Sequence, residues 1–320
     1  MSSALLIVAG LAGLLAGAEL LVRGGAALAS HLGVRPIVVG LTVVALGTSL
    51  PELAVGIDAV RQGSPGLAVG NIVGTNLVNM LFILGLSAAI RPIAFERRTL
   101  RFDLPAMTAA CLALWLLALD GSLSRADGAI LCIGGGAYTA GIIWTSRRES
   151  APVRADYESH SERTTLPGRW GLLLRVLAVL AGLGLVLLGA EFLVDGAIRV
   201  ARSLEVSETI IGLTVIAIGT SAPELVTTLT STVRGDRDIA VGNLLGSTVY
   251  NVALILGITV LAAPAEFQIP QEVVAADLLL LAVVAMITVP VLLSGHRMSR
   301  LEGGAFVATY LGYLVWLTLR

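Results

Sequence analysis

The sequence has no lysine, only two cysteines and three histidines, and just 13% charged residues. An ordinary soluble domain carries nearer ~25% charge, so that class is excluded. Cys111 and Cys132 stand at no metal-ligand spacing and fall in apolar stretches, where they read as small packing residues. His31, His160 and His296 lie in expected connections, which disfavours zinc or copper chemistry. No basic cluster is interleaved with aromatics, so nucleic acid is not an expected partner. HExxH is absent as well.

What the chain does have is apolar length. Of its 320 residues 56% are hydrophobic, and the mean hydropathy is +0.90. Crossing the hydrocarbon takes about 20 apolar residues, and ten stretches qualify: 4–22, 37–60, 67–90, 103–119, 127–145, 171–193, 207–231, 239–262, 273–294 and 302–319. The expected fold class is therefore an all-α integral membrane protein with ten transmembrane helices. The first stretch, ALLIVAGLAGLLAGAELLV, has no positively charged segment before it and is too long for a signal-peptide core, so it counts as the first span.

Arginine supplies every positive side chain, and its distribution is uneven. Fifteen connection arginines fall in odd-numbered connections (Arg23, Arg35, Arg91, Arg97, Arg98, Arg101, Arg147, Arg148, Arg154, Arg163, Arg169, Arg234, Arg237, Arg297 and Arg300). Four fall in even ones: Arg61, Arg125, Arg199 and Arg202. Positive charge stays in the cytoplasm, which predicts cytoplasmic odd connections and external termini.

Two motifs then stand out, GTSLPEL at 47–53 and GTSAPEL at 219–225. They belong to a gapless match at an offset of 172 that runs from Gly17/Gly189 to Gly85/Gly257. Residues 40–85 and 212–257 share 21 identities in 46 positions, concentrated on Gly, Thr, Ser, Pro, Glu and Asn. Greasiness does not supply those matches. Five expected helices separate the copies, an odd number, so the second copy crosses the membrane in the opposite sense. Such inverted repeats are common in secondary transporters. The chain thus divides into a five-helix repeat at 1–145, a hydrophilic cytoplasmic linker at 146–169 and an inverted five-helix repeat at 170–320.

The chemistry follows from the motif. Pro51 and Pro223 have no N–H, so the carbonyls of Gly47 and Gly219 lose their helical partners. Free carbonyls at membrane depth are tolerated only against protein or a wet cavity. One helical turn brings Thr48 over Glu52, with Ser49 alongside. In the next helix Asn71, Thr75 and Asn79 share a face at i, i+4, i+8, and Asn243, Ser247 and Asn251 repeat the arrangement. Gly70 and Gly74, like Gly242 and Gly246, form GxxxG steps for close helix approach. Prolines kink many helices and amide stripes often serve only as interhelical glue. Glu52 and Glu224 resist that reading: a mid-membrane carboxylate costs at least ~2.5–3.5 kcal/mol and marks an ion or proton pathway. No basic residue stands near either in sequence. Glu19 and Glu191 also match at the offset, but near Arg23 and Arg199 they read as helix-end ion pairs or gates. Asp58 has no acidic counterpart and is left out.

Oxygen ligands with two negative charges suit Ca²⁺. The two GTSxPE segments, each followed by a GNxxG[ST]xxxN helix, resemble the alpha-repeats of the calcium/cation antiporter superfamily, in its prokaryotic sodium/calcium exchanger branch. The resemblance spans essentially the whole chain. It implies a multi-pass protein of the cytoplasmic membrane, built as two inverted five-helix repeats, that exchanges Ca²⁺ for Na⁺ or H⁺ by alternating access. It also implies Glu52 and Glu224 as central ligands, with hydroxyl or backbone oxygens from Thr48, Ser49, Thr220 and Ser221. The carbonyls of Ala45 and Ala217, together with Thr75, Asn79, Ser247 and Asn251, complete the set. Neither a cofactor nor a protein partner is implied; the ions are cargo. The short linker lacks the regulatory insert of animal relatives.

Many exchangers of the superfamily carry Asp where this chain has Asn251. Two carboxylates balance one Ca²⁺, and protons can compete for them, so a Ca²⁺/H⁺ antiporter is the alternative. The hydroxyls flanking each glutamate resemble the sodium-coupled branch and favour Na⁺. An intramembrane enzyme using the two glutamates as acid and base is disfavoured, because equivalent surroundings do not push two acidities apart. A passive channel would be clogged by carboxylates that hold Ca²⁺.

Overall fold

The computed structural model describes residues 2–160, 169–204, 217–264 and 267–319, and is almost entirely helical. Eight helices among the described residues are long and apolar enough to cross a membrane: Ser3–Leu32, Pro36–Arg61, Pro65–Ile90, Thr99–Leu117, Arg125–Thr145, Gly171–Val200, Arg237–Ala262 and Val273–Leu293. Of the stretch expected at 207–231, residues 207–216 lie outside the description, and the rest forms Ala217–Thr220 and Ala222–Arg234. Arg300–Leu319 is helical over the last expected span. It falls outside the eight, since Glu302, three glycines and two tyrosines dilute its hydropathy.

Several helices outrun their apolar windows. The first, expected at 4–22, continues to Leu32. Hydropathy drops at Arg23, but alanines and leucines keep the backbone helical until Gly33, whose φ of 65° ends it with its N–H on the carbonyls of Ala29 and Ser30. His31, expected in a connection, therefore sits in the last helical turn. The fifth helix likewise reaches His160, into the segment read as linker.

Contacts divide the chain into two compact units, Met1–Thr48 with Ala140–Asn243, and Ser49–Thr139 with Leu244–Arg320. Each unit draws on both sequence copies. In the first, helix Ser3–Leu32 lies along helix Arg169–Ser203. Small residues make that approach possible: a Cβ on Gly17 would fall 2.6 Å from the backbone nitrogen of Val186, and one on Gly189 would fall 2.6 Å from that of Leu14. These two glycines are counterparts at the repeat offset. Leu14, Ala18, Val186, Ala190 and Ala222 form one buried apolar cluster beside this seam.

The second unit is closed by two short antiparallel strand pairs. Ile93–Ala94 pairs with Arg297–Met298, and Ser122–Leu123 pairs with Phe267–Gln268. Cys111 and Cys132 are both free thiols. A Cβ on Gly257 would meet Cys132 Sγ at 2.7 Å, so this cysteine packs closely, as expected.

Candidate functional site

Both GTSxPE motifs break their helix at the serine. Ser49, at φ −85° and ψ 5°, separates Ala45–Thr48 from Leu50–Arg61. Ser221, at φ −85° and ψ 2°, separates Ala217–Thr220 from Ala222–Arg234. The identical turn has one cause. Proline two residues on cannot donate to the preceding turn, and it fits only the first turn of a new helix. Each glutamate thus lies in the first turn of a restarted helix, where the backbone N–H groups and the helix dipole favour negative charge.

The twelve expected ligands fall six to each unit. The first unit holds Ala45, Thr48, Ala217, Thr220, Ser221 and Glu224. Of Ala217 only the backbone is described; Thr220 is half-buried, and Thr48, Ser221 and Glu224 are buried. A residue outside that set organises them: Asn243, fully buried. Its Nδ2 donates to Thr228 Oγ1 at 3.0 Å and to the backbone carbonyl of Glu224 at 3.5 Å. Its Oδ1 lies 3.2 Å from Thr48 Oγ1. The Thr48 hydroxyl also has the carbonyls of Val44 and Ala45 within 3.1 and 3.3 Å. One proton cannot serve three acceptors at once, so this cluster is rich in oxygen and poor in protons. The buried hydroxyls of Ser221 and Thr227 have no hydrogen-bond partner among the described residues.

The second unit holds Ser49, Glu52, Thr75, Asn79, Ser247 and Asn251, all buried. Thr75 Oγ1 donates to Glu52 Oε1 at 3.5 Å, as the two polar lines of the sequence imply. Oε2 of Glu52 and both side-chain atoms of Asn79 have no hydrogen-bond partner among the described residues. Asn251 Nδ2 donates to Asn76 Oδ1 at 3.4 Å, leaving Asn251 Oδ1 without a partner there. Regular helix gives way to a π turn at Val78–Ile83 and at Asn251–Leu256, beside each of these asparagines. Such turns widen the backbone locally and recur at functional sites.

The donor set is carboxylate, hydroxyl, amide and carbonyl oxygen. That composition suits a hard cation and offers a soft metal nothing.

The peripheral acids behave differently. Glu19 pairs with Arg23 at 2.5 Å and also with Arg234, so it clamps the first helix to the end of Ala222–Arg234. Glu191 is exposed, and among the described residues no ion pair joins it to Arg199. Eight helical residues span ~12 Å, too far for direct contact. Asp58 is exposed and accepts from Gln62, away from the site.

Comparison with known proteins matches this architecture. The sodium/calcium exchanger protein family profile aligns with residues 2–144 and 174–319. The chain belongs to that family. It is 34% identical over 319 residues to the inner membrane protein YrbG of Escherichia coli, covering 100% of this chain and 96% of that one. To the putative antiporter CaxA of Alkalimonas amylolytica it is 31% identical over 310 residues, covering 96% of both. To the sodium/calcium exchanger MaX1 of Methanosarcina acetivorans it is 28% identical, covering 98% and 97%. A solved structure of the sodium-calcium exchanger NCX_Mj superposes with a TM-score of 0.84 at 27% identity, covering 98% of this chain and 99% of that one. The protein is thus a membrane antiporter of cations, as the relatives named exchanger or antiporter are.

Proposed function

We propose that this protein exchanges Ca²⁺ against Na⁺ across the cytoplasmic membrane by alternating access. Glu52 and Glu224 are the anionic ligands. The observation that carries the reading is the state of Glu52: wholly buried, touched by one neutral hydroxyl, with a carboxylate oxygen unpartnered among the described residues. A buried negative charge without a cationic partner is costly, and a bound cation removes that cost. Thr48, Ser49, Thr75, Asn79, Thr220, Ser221, Ser247, Asn251 and the carbonyls of Ala45 and Ala217 serve as neutral ligands. No covalent step occurs; the ions leave as they entered.

Ten spans in two inverted five-helix repeats fit the same reading. The strand pairs join the third connection to the ninth and the fourth to the eighth, odd with odd and even with even. Fifteen of nineteen connection arginines lie in the odd connections, which supports a cytoplasmic segment 146–169 and external termini. A reporter at Ser159 that proves external would reverse this orientation. A relative named as a sodium/calcium exchanger supports the choice of cargo, and one named as a putative antiporter supports exchange.

The test is ⁴⁵Ca²⁺ uptake into proteoliposomes holding the purified protein, with Na⁺ and pH gradients imposed separately. Uptake driven by an outward Na⁺ gradient is expected. Equal uptake under a pH gradient in sodium-free buffer would overturn the choice of Na⁺, and flux without any counter-ion gradient would overturn exchange itself.

A further inference from the structure

Tyr250 precedes Asn251 on helix Arg237–Tyr250 and is fully buried. Its hydroxyl lies 3.0 Å from Thr139 Oγ1. Thr139 donates its own proton to the carbonyl of Gly135 at 2.9 Å, so Tyr250 is the donor between them. The Tyr250 ring meets Tyr138 edge to face at 5.8 Å. Tyr138 in turn stacks on Phe102 and donates to the buried carboxylate of Asp103 at 3.3 Å. Tyr250 is therefore held at its ring and at its hydroxyl by the helix that carries Tyr138 and Thr139.

Where it is held matters. Tyr250 is the last residue of regular helix, and Asn251 opens the π turn Asn251–Leu256. A π turn departs from the regular helical repeat and recurs at functional sites, and Asn251 stands at its start between two anchors, Asn76 at its amide and Tyr250 at the preceding residue. Asn76 binds one end of the Asn251 amide and leaves Oδ1 as the free end.

Comparison of the two copies separates scaffold from function. The Asp103–Tyr138 bond recurs as Tyr313 donating to Asp277 at 3.4 Å. The strand pairs flanking both bonds correspond in the same register, Ile93 with Phe267 and Leu123 with Met298. The Asp–Tyr clasp is thus a doubled structural element. The arm from tyrosine to threonine occurs once: the counterpart of Tyr250 at the repeat offset is Val78, and the counterpart of Thr139 is Leu314. We infer that Tyr250, held by Thr139 and Tyr138, is a positioning residue that aims the Asn251 side-chain oxygen at the transported cation. This rests on the proposed exchange function.

The test compares Tyr250→Phe with Tyr313→Phe, each alone and in an Asn251→Ala background, in proteoliposomes. Partners that orient a metal ligand are typically worth 10–100-fold in affinity, so Tyr250→Phe should raise the KM for Ca²⁺ about 10-fold with kcat changed less than about twofold. Tyr313→Phe should leave KM unchanged, and in the Asn251→Ala background Tyr250→Phe should add nothing. If Tyr250→Phe folds poorly, Thr139→Val removes the acceptor while leaving the tyrosine, and the same KM shift is expected. An unmoved KM, an undiminished effect without Asn251, or an equal effect from Tyr313→Phe overturns the inference. Wild-type protein that moves no Ca²⁺ under either gradient overturns the proposed function instead.

Discussion

The hydroxyl of Thr48 lies 3.2 Å from Oδ1 of Asn243, tying the first GTSxPE motif to the helix that follows the second. The same asparagine donates to Thr228 and to the backbone of Glu224, so one amide fixes two elements of the first unit. Asn243→Ala would strand buried polar groups. It should cost about 1–3 kcal/mol in stability and, as loss of a ligand-orienting partner, at least ~10-fold in Ca²⁺ affinity. Asn243→Asp loses the donor to Thr228 and adds a buried charge with no cation beside it among the described residues, so it should be no more stable than Asn243→Ala. Thermal melting in detergent and calcium-dependent exchange check both. A fully active, equally stable alanine variant would show that the amide organises nothing.

The two central carboxylates invite a different substitution. Glu52→Gln and Glu224→Gln keep shape while removing charge. Because taking a carboxylate's charge out of water is costly, each variant should fold at least as well as the parent, yet exchange should fall to background. Size-exclusion profiles and ⁴⁵Ca²⁺ uptake separate the two effects. Near wild-type transport by either variant would remove that glutamate from the site.

Much of this was legible in the sequence, and the omissions have physical causes. Glu52 with Thr75 follows from two polar lines meeting at one depth. Asn243 belonged to a visible stripe, but stripe membership does not tell an ion ligand from an amide spent on Thr48 and Thr228. Asn76 lies one residue off the stripe of Asn71, Thr75 and Asn79, so helical spacing does not flag it, although it binds Asn251. The Asp103–Tyr138 clasp and its copy escaped because connections of unequal length shift the 172-residue register beyond Gly257. Helix ends overran apolar windows because backbone capping, such as that at Gly33, stops a helix where hydropathy does not.

The glycine seam of the first unit makes a stability prediction. A Cβ at Gly17 would sit 2.6 Å from backbone, where no side-chain rotation relieves it. Gly17→Val should cost upward of about 1–3 kcal/mol by forcing the two helices apart, seen as a lower melting temperature or loss of monodisperse protein. Gly184→Ala is the control, since nothing lies within 4 Å of a Cβ there. Equal stability of the two variants would mean that the seam does not pack this tightly.

The last prediction concerns the counter-ion and turns on Asn251. The expected ligand set carries two carboxylates, which neutralise one Ca²⁺ but fall short of several Na⁺ bound together. Asn251 already faces outward from Asn76 through its oxygen, so Asn251→Asp adds a charge where the ligand atom stands. A third carboxylate should strengthen binding of the cation set with the larger total charge, lowering the Na⁺ concentration that half-saturates exchange. It should also make transport more sensitive to acid, since a third group must then lose its proton before cations fill the site. The measurement is ⁴⁵Ca²⁺ exchange across a Na⁺ series at several pH values. Sodium and pH dependences that superpose on the parent's would place Asn251 outside the ion's reach, leaving the charge balance to Glu52 and Glu224 alone.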